Sequence, residues 1–337
     1  MSARRPATMR DVALAAGVSP KTVSNVVNGY VHVRAETRER VQRVVDELGY
    51  RPQAAGRQLR RGRSGLVALA VPGIDMPYFA DLARHLVTAA RAHDLTVLVE
   101  QTDGLLERER EAADGFGVRF VDGLVLSPLA MAEEELTAPR HDTALVLLGE
   151  HAAHAAVDRV GIDSVDVACT ATRHLLAGGR RRVAMVGAKT ERPASVAEQR
   201  QLGWASALQE AGLRAEPGLA RPVPDWTRED GEAATDALLA EHPDVDAVFA
   251  SNDVLALGAL RSLRRHGRSV PDDVAVVGVD DLPEAAYSAP TLTTVAIDRA
   301  FVAAAALDLL TSRLDDADLP PRTAVAPHRL VVRESAP

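Results

Sequence analysis

The sequence predicts a chain of two parts, an all-α headpiece with a helix-turn-helix followed by a larger α/β body. Charge is the first observation behind this prediction. Residues 1–63 carry thirteen Arg and Lys against five Asp and Glu, whereas the rest of the 337-residue chain carries 26 basic and 42 acidic residues. The second observation is that short Val, Leu and Ala runs alternate with amphipathic helical stretches from Leu66 onward. This alternation is typical of doubly wound α/β sheets.

Composition limits the class of protein. Hydrophobic residues make up 47% of the chain and charged residues 26%, which is close to the average of globular proteins. No apolar run approaches the ~20 residues of a membrane helix, and the first residues lack the apolar stretch of a secretory signal. The single cysteine, Cys169, excludes an internal disulfide and a cysteine-rich zinc site. We therefore expect a soluble cytoplasmic protein with no metal, no other cofactor and no membrane partner.

Three helices are predicted in the basic head. Thr8 and Asp11 form the pattern of a capping box at the start of the first helix, and Gly17 ends it. Ser19 can cap a second helix at Pro20–Val27, with Pro20 in the first position, where its missing N–H costs nothing. A third helix is expected at Ala35–Leu48, stopped by Gly49.

The second helix is predicted to expose polar side chains. Val23 and Val27 form its inward i, i+4 pair, which leaves Lys21, Thr22, Ser24 and Asn25 facing outward. Two short helices joined by a turn with glycine, the second presenting small polar and basic groups, are typical of a helix-turn-helix. The alternative is a plain three-helix domain with a solvated basic face.

The motifs of this head match a known family. They stand at residues 9–13, 16–19, 22–24, 27–29, 37–41 and 48–52. Nearly continuous over fifty residues, they resemble the headpiece of the LacI/GalR family of bacterial transcription regulators. The resemblance implies that the second helix enters the DNA major groove, where Pro20, Lys21 and Asn25 read bases. It implies phosphate contacts at Thr8, Ser19, Thr22, Ser24, Asn28 and His32.

Two residues of the head depart from the family's usual pattern. Most relatives have Arg where Asn25 stands, so the guanine contact that this Arg makes is not expected here. Many relatives have Ser where Arg34 stands, and Arg34 removes that helix cap, although it can reach a phosphate.

The segment 52–60 resembles the family's hinge helix. It is too short to be stable alone, and the resemblance implies that it folds when two subunits pair on DNA. Leu59 would then wedge into the minor groove and kink the duplex. Ala55 and Arg60 are the other expected DNA contacts of the hinge. The alternative is a flexible linker rich in Arg and Gly, which residues 60–65 become in either case.

The body has short apolar runs of the kind that buried parallel strands need. Strands are predicted at Leu66–Val71, Thr96–Val99, Gly123–Leu126, Leu145–Leu148, Val183–Val186, Ala247–Ala250 and Val274–Val279. Helices are predicted at Tyr78–Ala92, Asp166–Ala177, Ala197–Glu210, Gly231–Glu241 and Asp253–His266.

The body also resembles the family, whose effector domain is similar to type I periplasmic binding proteins with two subdomains. By this resemblance the chain divides into a headpiece at 1–51, a hinge and linker at 52–64, and an effector and dimerisation domain at 65–337. The first subdomain is expected at about 65–162 plus 295–321, and the second at about 163–294 plus 322–337.

Matching positions in the crevice between the subdomains indicate the effector contacts. They are Tyr78, Phe79, Glu150, Arg200, Trp226, Asn252 and Asp280. This set suits a sugar, because carboxylates accept from hydroxyls, Arg and Asn donate to them, and an aromatic ring stacks on the apolar face. Simpler interpretations are a surface ion pair for Arg200, a strand-end cap for Asp280 and rim packing for Trp226.

Other chemical motifs are weak. His151 and His154 lack a nearby ligand to complete a metal set, and no nucleophile elbow or phosphate-binding glycine loop occurs. We predict no catalytic residues and no enzyme activity. The predicted function is a repressor of transcription that works as a homodimer or dimer of dimers. Its partners would be double-stranded operator DNA and a sugar or sugar derivative. Alternatives are a purine or other metabolite as effector, or a sugar-binding protein or sugar-processing enzyme with no role on DNA.

Overall fold

The computed structural model describes residues 7–27, 30, 32–50, 63–115, 121–137, 143–149, 157–188 and 196–337. Several predictions lie outside these residues: the hinge helix with Ala55, Leu59 and Arg60, the contacts of Asn28 and Glu150, and the pair of His151 and His154. The chain divides into two compact units, Met1–Ser64 and Gly65–Pro337.

The first unit contains the three predicted helices. They are α1 (Met9–Ala16), α2 (Pro20–Val27) and α3 (Ala35–Leu48). The capping box is confirmed, because Thr8 Oγ1 accepts from the Asp11 N–H and the Asp11 carboxylate accepts from the Thr8 N–H at 2.7 Å. Gly17 ends α1 in the left-handed conformation, with φ of 64°. Arg34 precedes α3 without a side-chain cap, as its departure from the family pattern predicts.

The buried face of α2 differs from the prediction. Val26 is 5% exposed and packs inward with Val23, whereas Val27 is only half-buried. Ser24, which was predicted to face outward, is 2% exposed. The outward placement of Ser24 is therefore wrong. Successive helical residues are ~100° apart. The buried face of α2 is wide enough to include Ser24 on one side of Val23 and Val26 on the other.

The second unit contains, in its described part, two six-stranded sheets. The first sheet has the order β11-β5-β4-β3-β1-β2, with every pair parallel. Its strands are β1 (Leu66–Val71), β2 (Thr96–Gln101), β3 (Gly123–Leu126), β4 (Ala144–Leu148), β5 (Asp158–Ile162) and β11 (Thr323–Ala326). The second has the order β12-β10-β9-β8-β6-β7, in which only the β10–β12 pair is antiparallel. Its strands are β6 (Val183–Ala188), β7 (Ala220–Pro222), β8 (Ala247–Ala250), β9 (Ala275–Asp280), β10 (Thr293–Ile297) and β12 (His328–Val331).

Helices connect the strands of the second unit and cover the sheets. They are α4 (Pro77–Ala90), α5 (Leu106–Ala113), α6 (Glu133–Thr137), α7 (Ser164–Ala177), α8 (Val196–Glu210), α9 (Arg228–Glu241), α10 (Asp253–Arg265) and α11 (Arg299–Asp315). Short 3-10 turns lie at Arg91–His93, Pro217–Leu219 and Pro283–Ala286. No helix among the described residues is long and apolar enough to cross a membrane.

The chain crosses between the two sheets three times. It leaves the first sheet after Ile162, returns at Asp298 and leaves again at Pro327. The last two crossings lie side by side, because the Asp298 N–H donates to the Pro327 carbonyl at 3.1 Å. Strand β10 therefore belongs with the second subdomain, and β11 with the first. Both crossings fall a few residues later in the chain than the subdomain boundaries expected from the sequence.

Helices of the second subdomain pack closely through glycines. A Cβ on Gly258 of α10 would overlap the Arg228 carbonyl at the start of α9, and one on Gly231 would overlap the Leu255 carbonyl. A Cβ on Gly203 of α8 would likewise overlap the Val165 carbonyl in α7. These contacts allow α9 to pack directly on α10, and α8 on α7.

Candidate functional site

The exposed end of α2 is the candidate nucleic-acid surface. Pro20 and Lys21 are exposed and Asn25 is half-buried. Ser19 Oγ accepts from the Thr22 N–H at 3.1 Å and lies 2.9 Å from the Thr22 hydroxyl. The helix end is therefore ordered by its own cap, so that Lys21 and Asn25 are presented on a fixed backbone. A charged ammonium and an amide in this arrangement can contact phosphates and base edges.

The remaining predicted phosphate contacts differ in their exposure and in the hydrogen bonds they already make. The Thr8 hydroxyl donates to the Asp11 carboxylate at 2.6 Å, so its oxygen keeps only acceptor capacity. His32 is exposed, and its ring lies edge-on to Tyr30 with centroids 5.3 Å apart. Buried Ser24 offers little surface to a phosphate.

Arg200 of α8 lies at the carboxyl edge of the second sheet. It is 4% exposed, and its Nη1 donates to the Ser251 carbonyl at the end of β8. Its guanidinium lies 5.7 Å from the centroid of the Trp226 ring, a cation–π distance. The buried Nε has no hydrogen-bond partner among the described residues. The surface ion pair is therefore wrong for Arg200, whose guanidinium is buried and has a donor to spare.

Asp280 ends β9, the strand beside β8, and faces the same region. It is 6% exposed. Burial raises the pKa of its carboxyl to about 6, and the positive charges of Arg200 and Arg299 oppose this rise. Asn252 follows β8 and caps α10, because its Oδ1 accepts from the Leu255 N–H at 2.8 Å. A cation, a carboxylate and an amide thus converge at the ends of adjacent parallel strands, where open α/β sheets bind ligands.

The backbone that presents Asp280 is strained. Asp280 and Asp281 have φ values of 112° and 55°, and Trp226 has 35°, all in the region that favours glycine. The Asp253 carboxylate holds the turn at Asp280 and Asp281 in place. It accepts from the Leu282 N–H at 2.8 Å and from the Thr294 hydroxyl at 2.6 Å. Strain that the surroundings maintain is concentrated at functional sites.

Asp253 is itself unusual. It is fully buried, and both its desolvation and the negative charge of Asp280 raise the pKa of its carboxyl well above the ordinary value. A Cβ on Gly278 would collide with the Asp253 carboxylate, so β9 needs glycine at this point. Sequence reasoning did not select Asp253 for the site. Its place directly after Asn252, at the start of a helix, was the available signal.

The first subdomain contributes an aromatic pair. Tyr78 and Phe79 lie in the first turn of α4, and their rings meet edge to face with centroids 5.2 Å apart. Both are half-buried against the hydrophobic core. Trp226 is also half-buried against that core. Its stacking role therefore remains a prediction alongside rim packing.

Arg299, which sequence reasoning missed, joins the two halves of the site. Its Nε donates to Asp81 of α4 at 2.6 Å, one helical turn after Tyr78, and its Nη1 donates to the Asp280 carbonyl. The ion pair of Arg299 and Asp81 therefore connects the helix that carries the aromatic pair with the turn that carries Asp280. No motif indicated this, because the two residues are 218 positions apart in the chain.

The second unit also contains two cavities, the first of which borders Arg299. One of about 360 Å³ is lined by the crossing segments, including Asp298, Arg299 and His328. Another of about 300 Å³ lies at the opposite edge of the second sheet near Arg182 and Arg214. Neither is lined by any predicted effector contact that the structure describes. In the part of the chain described here, no group of three or more His, Cys, Asp and Glu side chains could hold a metal ion.

Comparison with known proteins follows the same division into a head and a body. Residues 8–53 match the family described as bacterial regulatory proteins, lacI family, and residues 172–336 match the periplasmic binding protein-like domain. The ribose operon repressor of Halalkalibacterium halodurans is 33% identical over 332 residues, covering 97% of this chain and 96% of that protein.

Solved structures are similar over nearly the same length of the chain. The Lac repressor dimer bound to operator and the anti-inducer ONPF is 26% identical with a TM-score of 0.88, covering 98% of this chain and 99% of that chain. A complex of the transcriptional regulator CelR with cellobiose is 31% identical with a TM-score of 0.72, again covering 98% and 99%.

Proposed function

Because the chain belongs to the LacI family of bacterial regulatory proteins, we propose that it is a repressor whose operator affinity depends on a small polar ligand, a sugar or sugar derivative. The observation that carries this proposal is the cluster of Arg200, Asn252 and Asp280 at the carboxyl edge of the second sheet. In it, Arg200 is buried with its Nε unpaired in the described structure.

The proposed ligand chemistry follows from the donors and acceptors available. The Asp280 carboxylate accepts from adjacent hydroxyls, and the Arg200 guanidinium donates to a hydroxyl or ring oxygen. The rings of Trp226, Tyr78 and Phe79 offer apolar faces to the carbon side of a sugar ring. Two similar proteins support this class, since one is named for a ribose operon and the other is in complex with cellobiose.

On DNA, we assign base reading to α2. Pro20, Lys21 and Asn25 would contact base edges, and Thr8, Ser19, Thr22 and His32 would contact phosphates. Because an amide pairs best with adenine N6 and N7, Asn25 favours adenine where an Arg would favour guanine. The protein would act as a homodimer, as the Lac repressor dimer on its operator does. It would bind rather than transform its ligand, so we assign it no enzyme activity.

A thermal-shift screen tests the ligand class. The wild type is heated with a panel of pentoses, hexoses, disaccharides and nucleosides, each at millimolar concentration. We expect one or more sugars to raise the Tm, because a ligand that binds only the folded state stabilises it. If only nucleosides raise the Tm, the sugar assignment is wrong and the alternative of a purine or other metabolite stands. Two variants test whether the sugar binds at the proposed site. Arg200→Ala should lose the increase in Tm. Arg173→Ala is the control and should keep it, because Arg173 is half-exposed and pairs with Glu210.

A further inference from the structure

Arg299 is the first residue of α11, directly after the crossing at Asp298. All three nitrogens of its guanidinium are used. Nε donates to Asp81 at 2.6 Å, Nη1 to the Asp280 carbonyl, and Nη2 to the Asp281 carbonyl at 3.2 Å. The side chain is 12% exposed. One arginine therefore ties α4 of the first subdomain to the end of β9 in the second.

The segment that Arg299 holds is the strained turn of the candidate effector site. Asp280 and Asp281 both have positive φ, and such non-glycine residues persist only when their surroundings hold them. A second guanidinium, that of Arg333, holds the same turn by donating to the Asp281 carboxylate at 2.6 Å. Arg333 follows β12, so its contact stays within the second subdomain, whereas that of Arg299 crosses between the two.

The three contacts of Arg299 depend on one another. A guanidinium is a planar fork with its donors in fixed directions, so it can satisfy a carboxylate and two carbonyls only at one relative position of α4 and β9. If the subdomains rotate, the fork must release either Asp81 or the turn. The arrangement therefore has an engaged state and a broken state rather than a continuous range.

We propose that Arg299 is an interdomain latch, which fixes the relative orientation of the two subdomains by holding the Asp280–Asp281 turn against α4. A movement of the turn would then be passed to α4 and the first subdomain. This coupling rests on the proposed function in one respect, that a ligand contacts Asp280. The latch itself does not depend on any ligand.

Asp81 supplies a matched control. Arg84 also donates to Asp81, through Nε at 3.0 Å and Nη2 at 2.6 Å. It lies on the same helix and is 64% exposed, and it makes no contact with the turn. Removing Arg84 therefore perturbs the same carboxylate without opening the latch.

The test measures the distance between the subdomains in the full chain, without DNA or ligand. Spin labels on Ala92→Cys and Arg264→Cys in a Cys169→Ala background report that distance by pulsed EPR. We expect one narrow distribution for the parent, Arg84→Met and Arg333→Met, and a shifted or broadened one for Arg299→Met. Hydrogen exchange in peptides covering 279–283 should become at least tenfold faster in Arg299→Met. Asp81→Asn, a milder change, should broaden the distribution as well and serves if Arg299→Met does not fold.

An unchanged distance distribution in both Arg299→Met and Asp81→Asn would overturn the latch, even if the turn exchanged faster. A distribution broadened equally in Arg333→Met would also overturn it. Loss of any contact to the turn would then have the same effect, and the contact between the subdomains would have no special role. Neither result bears on DNA or ligand binding, which are measured separately, so the proposed function would stand.

Discussion

Asp280 is a side chain of the candidate site whose charge changes in an accessible pH range. Its carboxyl is buried, which raises its pKa to about 6, while Arg200 and Arg299 favour the ionised form. At pH 7 the carboxyl is about nine-tenths ionised, and at pH 5 about one-tenth. Only the ionised form accepts hydrogen bonds at both oxygens.

Ligand affinity should therefore decrease as the pH is lowered. For the sugar that the thermal-shift screen identifies, we expect the dissociation constant to rise about tenfold between pH 7 and pH 5, because the ionised fraction falls by that factor. Isothermal calorimetry at intermediate pH values measures this. Asp280→Asn should bind more weakly at pH 7 and show a flat profile, since its amide does not titrate. A flat profile for the wild type would show that the Asp280 charge does not contact the ligand.

Asn25 should determine the base preference at one position of each operator half-site. Replacing Asn25 with Arg should move the preference there from adenine towards guanine, since each bidentate contact is worth about 1–3 kcal/mol of discrimination. Selection of binding sites from a random duplex library, run side by side on the wild type and Asn25→Arg, measures the shift. Arg40→Ala is the control, because Arg40 is exposed on α3 and outside the predicted contacts. Identical selected sequences from the two proteins would contradict the placement of Asn25 against a base.

Helix α9 packs closely on α10, the helix that Asn252 caps. Gly258 allows the approach, and a Cβ there would overlap the Arg228 carbonyl. We expect Gly258→Ala to reduce the free energy of unfolding by about 1–3 kcal/mol, the usual cost of overpacking. Urea denaturation followed by circular dichroism measures this. Gly178→Ala at the end of α7 is the control, since its Cβ would lie no closer than 3.4 Å to any neighbour. Equal stability of both variants would mean that the helices can separate without cost.

Elements with a strong local signal were predictable from the sequence. The helices α2 and α3 and the strands β1, β3 and β8 have their predicted bounds, because caps, glycine stops and uninterrupted apolar runs are local features. The edge strands β7, β11 and β12 are three or four residues long and mix polar with apolar residues. They form because a neighbouring strand is already in place, and nothing in their own sequence indicates this.

The candidate site was predictable only in part, for a related reason. Arg200, Asn252 and Asp280 could be selected because each matches a family position at a strand end or a helix start. Arg299 could not, since its role depends on contacts between residues far apart in the chain. Asp253 carried a local signal, its place after Asn252 at a helix start, but its contact with Thr294 is 41 positions away and was not predictable. Ser24 was misplaced because helical periodicity gives the direction of a buried stripe but not its width.

The molecule as a whole combines a DNA-binding head with a two-subdomain body. A ligand can change operator affinity only if it binds the DNA-competent and DNA-incompetent states with different affinity. Three crossing segments and the Arg299 contacts link the subdomains. A ligand held by both subdomains would favour one relative orientation of them, and this supplies the difference in affinity.

We propose that ligand contact at Arg200 controls operator binding. Fluorescence anisotropy on a duplex from the site selection tests this, with and without the identified sugar, for the wild type and Arg200→Ala. We expect the sugar to change the operator dissociation constant of the wild type at least tenfold. Arg200→Ala should keep the ligand-free value and lose the response, because a charge-assisted hydrogen bond is worth about 1.5–3 kcal/mol. An undiminished response in Arg200→Ala, or no sequence-specific binding by the wild type, would contradict the claim.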